Sequence, residues 1–235
     1  MSLLLQNEIP GLCGGDPVLG SRMWFRMVFA VLVVGFGAVT AEEEVPAAPQ
    51  LLETSDLKGF SELSEERQKL ISMAIETGKE VLGMPYKYGG NGPKDGGFDC
   101  SGAMHFILQK VGIDPPRTSS DQYLWVKKHS DFHEVPKTAT DTEDECFADL
   151  KPGDLVFWSG TYEPNDGRTT NITHVGMYLG LEEKDGRPVM INATNGRSYR
   201  GRKGNGFGVY DFRLPRAGSK SKIVGYGTPP GLLKK

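Results

Sequence analysis

At Leu150 the apolar pattern of the chain changes period, and this constrains the fold more than any other feature. Before it, apolar residues recur three and four positions apart; after it, they alternate. Upstream, Leu70, Ile71, Ala74, Ile75, Gly78 and Val81 form one helical face. Ser64 is placed to cap that helix, Glu65 and Glu66 meet its positive end, and Gly83 and Pro85 stop it. Ala103, Phe106, Ile107 and Val111 form a second face, stopped by Gly112 and Pro115-Pro116. The polar run from Pro116 to Gln122 opens a third, short helix. Downstream, the alternation predicts strands over residues 155–158, 174–179, 188–193, 207–212 and 223–226. Helices first and strands second predict an α+β fold with a largely antiparallel sheet.

The length of 235 residues suits one domain plus an export segment, and no repeat or second domain is visible. Arg22 and Arg26 precede an apolar run over residues 28–39, and Val39-Thr40-Ala41 offers small residues just before Glu42-Glu43-Glu44. That is the signal-peptide pattern, so residues 1–41 are predicted to be removed on export to the periplasm, the cell envelope or the medium. The true start is then Met23, and the apolar run is too short for a stable membrane span. Residues 42–63, rich in Pro, Ala and acidic side chains, read as a linker, residues 64–228 as the globular domain, and residues 229–235 as a tail. A net charge of −3 argues against a nucleic-acid partner. Nothing points to an oligomer, so a monomer is expected. The three cysteines are too widely spaced for a disulfide framework or a zinc site.

Cys100 sits where a glycine-containing loop enters the second helix. There the helix dipole favours thiolate over thiol, and free backbone N–H groups can hold an oxyanion. Cys146, in an acidic stretch without a base or a cation nearby, reads as inert. In the hairpin after Leu150, pairing Tyr178 with Pro188 sets His174 opposite Asn192. One face then holds His174, Gly176, Tyr178, Met190 and Asn192; the other holds Val175, Met177, Leu179, Val189 and Ile191 as core. If the Cys100 helix approaches the first face across Gly176, a thiol, an imidazole base and an orienting carboxamide come together.

The stretches Pro85-Tyr86-Lys87-Tyr88-Gly89-Gly90, Phe98-Asp99-Cys100-Ser101-Gly102, Pro116-Arg117-Thr118-Ser119, residues 150–157 and residues 173–180 resemble the NlpC family of cell-wall endopeptidases. The resemblance runs from about Glu66 to Tyr226. It implies a papain-like cysteine peptidase domain over 64–228, with the nucleophile at a helix N-terminus and no cofactor, cutting peptidoglycan stem peptides between D-glutamate and a diamino acid. By position it makes Cys100 the nucleophile, His174 the base and Asn192 the third polar residue, a place the family often fills with His. It also implies that Tyr86, Asp99 and Ser101 bind the free amine end of the substrate, and that Arg117 lines the pocket. The stretches 127–149 and 160–171 look longer than is usual for the family, and 137–149 reads as a surface insertion.

Other readings carry less. His129 and His133 have metal-ligand spacing, but Val135-Pro136 ends any helix there and no third ligand is apparent. His105 lies about 140° round the helix from Cys100. Gly204 to Gly208 reads as a hairpin turn, and Arg197, Arg200, Arg202 and Lys203 as a solvated basic loop that could face an anionic polymer. Two other functions remain open: a catalytically silent wall-binding module, and an amidase or acyltransferase on the same scaffold.

Overall fold

A computed structural model describes residues 50–233. The expected signal segment, 1–41, and the first part of the expected linker lie outside the described residues. In chain order the elements are α1 (Glu65–Glu80), β1 (Asn91–Gly92), β2 (Gly97–Phe98), α2 (Cys100–Lys110), α3 (Ser119–His129), β3 (Phe132–Glu134), β4 (Leu155–Ser159), β5 (Ile172–Leu181), β6 (Pro188–Thr194), β7 (Ser198–Tyr199), β8 (Arg202–Lys203), β9 (Gly206–Asp211) and β10 (Lys222–Gly227). The fold is α+β, as the change of period predicts. Its main sheet has six antiparallel strands in the order β3-β10-β4-β5-β6-β9.

Each helix begins where a side chain satisfies its orphan N–H groups. Ser64 accepts from Arg67 N at the start of α1, and Thr118 accepts from Asp121 N at the start of α3. Leu70, Ile71 and Ile75 of α1 and Ala103 and Ile107 of α2 pack on Val175, Met177, Leu179, Val189 and Ile191 of the sheet. The opposite face is also apolar, carrying Val156, Trp158, Tyr178, Met190, Tyr210 and Tyr226. The chain from Val135 to Leu150 covers it. Val135 and Phe147 are buried there, and the Tyr226 hydroxyl donates to Cys146 O at 2.9 Å. The stretch expected as a surface insertion is therefore a lid on the sheet: its acidic residues face water, while Phe147 anchors it.

Two further features differ from the expectation. From Gln50 on, the segment read as linker lies against the domain. Leu52 and Leu57 are buried, Val209 N donates to Gln50 O at 2.9 Å, and Lys58 N donates to Leu181 O at 2.8 Å. These two leucines, among acidic neighbours, are enough to dock it. Arg67, one turn before Leu70 and Ile71 on the same face of α1, is buried. It donates to Asp154 Oδ1 at 3.0 Å, Pro152 O at 2.6 Å and Thr228 Oγ1 at 2.7 Å, tying α1 to the turn before β4. Among the described residues, no helix is long and apolar enough to cross a membrane.

Candidate active site

The antiparallel pair β1–β2 delivers the chain to Asp99, the N-cap of α2. Asp99 Oδ1 accepts from Gly102 N at 2.6 Å, Ser101 Oγ at 3.0 Å and Arg117 Nη1 at 3.0 Å. Its Oδ2 accepts from Gly89 N at 3.0 Å and Arg117 Nη2 at 2.9 Å. Such a cap contributes about 1 kcal/mol to the helix and fixes where its first turn points. Gly102 is required here: a Cβ on it would stand 2.1 Å from Gly90 O. The loop at Gly90 therefore lies directly on the first turn of α2.

Cys100 opens α2 and is buried. The backbone N–H groups of Val175, Ser101 and Cys100 itself favour the thiolate. They do not prevail. Burial, and then the charge on Asp99, push the thiol up to about 11. Desolvation thus opposes the thiolate that the helix end favours.

His174 lies on β5, one residue before Val175, which packs in one cluster with Cys100. The hairpin register differs from the expected one. Tyr178 pairs with Met190, not Pro188, and a bulge between Tyr178 and Gly180 shifts the remainder. A slip of two residues keeps every side chain on its expected face. Asn192 therefore still shares a face with His174, and Asn192 Nδ2 lies 2.8 Å from His174 Nε2. The β5–β6 pairs stop at Met177–Ile191, short of His174. Gly176 does not admit the Cys100 helix, which packs on the Val175 and Met177 face. A Cβ on Gly176 would stand 3.2 Å from Asn192 Nδ2, so its bare backbone makes room for the carboxamide instead. Trp158 contacts the imidazole edge-on at 5.4 Å. Burial, reinforced by the charge on Arg197, holds the imidazole well below its ordinary pKa of 6.5.

Two cavities adjoin at Tyr86, Tyr162 and Thr173. The smaller, about 240 Å³, is lined by Cys100, Asp99, Ser101 and Arg117. The larger, about 770 Å³, is lined by His174, Thr194 and Arg197. All the expected site residues but Asn192 line one cavity or the other, and Asn192 is fully buried behind His174. Arg117 and Asp99 spend their charges on each other, so their first task is to build the pocket wall. Tyr162, in the long loop 160–171, forms part of both cavities. Thr161 and Arg168 bind Thr173 and Ile172 O and fasten that loop to β5.

Arg197 was the residue most misread in the sequence. It lies in the bend after β6, with its guanidinium 4.4 Å from the centre of the Trp158 ring. Arg200, by contrast, is bound by Glu182 and Asp185. The turn beside it falls at Arg200-Gly201, between β7 and β8, and not at Gly204 to Gly208. No periodicity marks Arg197, because the only signal is its place just past the strand that carries Asn192. His133 stacks on Tyr226, 5.0 Å between ring centres, while His129 ends α3.

A model of the NlpC/P60 family matches residues 83–211. Over 137 residues the chain is 36% identical to a "Probable endopeptidase p60" of Listeria monocytogenes, covering 58% of this chain and 22% of that protein. Over 105 residues it is 43% identical to the "Bifunctional muramidase/DL-endopeptidase CwlT" of Bacillus subtilis, covering 43% of this chain and 25% of that protein. The chain thus spans about a quarter of the length of these curated relatives. A solved NlpC/P60 family structure from Bacillus cereus is 28% identical with a TM-score of 0.40, covering 68% of this chain and 40% of that one.

Proposed function

Since the chain belongs to the NlpC/P60 family, we propose that it is a cysteine endopeptidase that hydrolyses peptidoglycan stem peptides. The observation that carries the reading is the contact of Asn192 with the imidazole of His174, on the strand whose next residue, Val175, packs in one cluster with Cys100. A thiol at a helix start, an imidazole on the strand that helix packs against and a carboxamide behind that imidazole are the parts of nucleophilic acyl transfer. The name of a second Bacillus subtilis relative, "Gamma-D-glutamyl-L-lysine dipeptidyl-peptidase", 38% identical over 106 residues, supports a bond made by D-glutamate to a diamino acid.

In this reading His174 takes the proton of Cys100, and the sulfur attacks the amide carbonyl carbon. The N–H groups of Cys100 and Ser101 hold the oxyanion. The imidazolium then protonates the leaving amine, and the acyl group remains on sulfur as a thioester. His174 next removes a proton from water, which cleaves the thioester and frees Cys100. The base requires a lone pair on the ring nitrogen facing sulfur. Asn192 supplies it by turning its amide so that Oδ1 accepts from Nε2–H, which fixes the tautomer. No metal or organic cofactor enters these steps. Tyr86, Asp99, Ser101 and Arg117 receive the amine end of the acyl portion, and export through residues 1–41 brings the enzyme to its polymer.

Incubation with defined muropeptides, followed by mass spectrometry of the products, tests the reading. The expected products are a fragment ending in D-glutamate and one beginning with the diamino acid. Intact muropeptides, with the same protein folded by circular dichroism, would overturn it. Sequencing the N-terminus of protein from the native host tests export, with a start near Glu42 expected.

A further inference from the structure

Arg67, Arg117 and Arg168 each sit on a carboxylate: Asp154, Asp99 and Asp166. Arg197 does not. Among the described residues it has no salt-bridge partner, although its guanidinium lies against the Trp158 ring in a half-buried position. Its carbonyl is held by Gly204 N at 3.0 Å, which anchors the bend that carries it. The cavity it lines has no acidic wall residue; Arg213 and Arg216 add positive charge, while Lys220 is paired with Glu163 at 3.7 Å. Arg213 donates to Ser198 Oγ at 2.7 Å, which holds it near that mouth. A partly desolvated guanidinium without a counter-ion is unfavourable unless a ligand supplies one. Burial and Arg213 lower Arg197 only to about 10, so it remains a cation at neutral pH. The smaller cavity differs: its arginines, Arg117 and Arg168, are already neutralised by Asp99 and Asp166.

The chemistry of the step tells which part of the substrate meets Arg197. His174 hands its proton to the leaving nitrogen, so the leaving residue lies on the imidazole side of the sulfur. The cavity on that side is the one lined by both His174 and Arg197. We propose that Arg197, supported by Arg213, is the subsite for a carboxylate on the residue whose amine leaves, so that the enzyme selects a diamino dicarboxylic acid over a diamino monocarboxylic acid at that place. The proposal rests on the peptidase reading and deepens it. Planar, two-pronged guanidinium binding suits a carboxylate, and stacking on Trp158 presets its plane. A bound carboxylate would also offset the positive charge that depresses His174, so the correct substrate would strengthen the base that acts on it.

The test uses three peptides, each L-alanyl-γ-D-glutamyl joined to a diamino residue with its distal carboxylate free, amidated or absent. Wild-type protein should cleave the first with a kcat/KM about tenfold or more above the other two. In Arg197→Gln this preference should shrink to within about threefold, and Arg197→Lys should keep part of it. The acid limb of the pH profile with the free-carboxylate peptide should move to lower pH in Arg197→Lys relative to wild type as the clamp loosens. Equal cleavage of all three by wild type, or an unchanged preference in folded Arg197→Gln, overturns the subsite and leaves the peptidase reading standing. Cleavage of none by wild type overturns the peptidase reading. Calorimetric titration of the same peptides onto the protein then decides the subsite alone: tighter binding of the free carboxylate that is lost in Arg197→Gln supports it, and equal or absent binding overturns it. If Arg197→Gln fails to fold, Arg213→Gln carries the test, with a partial loss of preference expected.

Discussion

Asn192 and His174 are not cross-strand partners, yet Asn192 Nδ2 reaches His174 Nε2 at 2.8 Å past the bare backbone of Gly176. The contact is a diagonal one, made possible by the bulge at Tyr178–Gly180 that resets the hairpin. Its task is orientation, not proton transfer. Asn192→Ala should therefore cost less activity than the ~10²–10⁴-fold that follows loss of a general base. Asn192→His, which can still bond Nε2, should retain much of the wild-type rate. Muropeptide turnover by each purified variant checks this, and wild-type activity in Asn192→Ala would mean that another group holds the ring.

Cys100→Ala and His174→Ala should each reduce turnover to background with an unchanged far-UV spectrum, because the first removes a single sulfur from the packed cluster and the second lies on the face away from the helices. Members of one catalytic unit are not additive. Cys100→Ala combined with Asn192→Ala should therefore be no slower than Cys100→Ala alone. Cleavage by folded Cys100→Ala at the wild-type rate would refute the nucleophile.

The parts of this site that were legible in the sequence were those set by periodicity and local chemistry. Cys100 opens α2, and His174 and Asn192 share a face whichever even-numbered register the hairpin takes. What could not be read depends on contacts distant in sequence. The helices sit on the Val175 face rather than the His174 face, because that choice is made by α1, α2 and β5 packing together. The short strand β3 joins the sheet only through β10, far along the chain, and three residues give no alternation to detect. Phe147 looks like one aromatic in an acidic loop until the second sheet face needs a cover. Arg67 and Arg197 were missed for one reason: a charged residue's burial is set by what closes over it.

Burial raises Cys100 to about 11 and lowers His174 well below 6.5, which favours a neutral thiol and a neutral imidazole at rest. Alkylation of Cys100 by iodoacetamide should rise with pH into the alkaline range, with no plateau at acid pH. The acid limb of kcat/KM should fall below 6.5, the ordinary value, because free-enzyme His174 loses its lone pair only there. The sign for stability is the same. His174 binds a proton more readily unfolded than folded, so its contribution is present above about 6.5 and is lost as pH falls toward its folded value. A fast, pH-independent alkylation between pH 4 and 7 on the order of a preformed ion pair would contradict the neutral resting state.

Asp154 and Arg67 form a buried pair that also holds Thr228 and the carbonyl of Pro152. Removing one partner strands the other charge. Asp154→Ala should lower unfolding free energy by about 3–5 kcal/mol, and Arg67→Met with Asp154→Leu should restore most of it. Urea unfolding midpoints of the three proteins decide the matter; a loss under about 1 kcal/mol in Asp154→Ala would show that water reaches Arg67.

Gly176→Ala is the sharpest probe of how the site is built. A Cβ there would stand 2.5 Å from Met190 Cε and 3.2 Å from Asn192 Nδ2. Met190 ends in a flexible thioether and can swing away at modest cost. Asn192 is fully buried on β6, paired with Gly208 of β9, and cannot retreat without leaving the imidazole. Overpacking of this kind costs about 1–3 kcal/mol of stability, which a folded domain can absorb. The activity should fall much further than the stability, to about the level of Asn192→Ala, because the same carboxamide has been displaced. The double variant Gly176→Ala with Asn192→Ala should then be no slower than either single one, since both remove one interaction. Unfolding midpoints and muropeptide turnover of the three proteins separate the two effects. If folded Gly176→Ala keeps wild-type turnover, the carboxamide does not need the space that glycine leaves, and His174 is oriented from its other side.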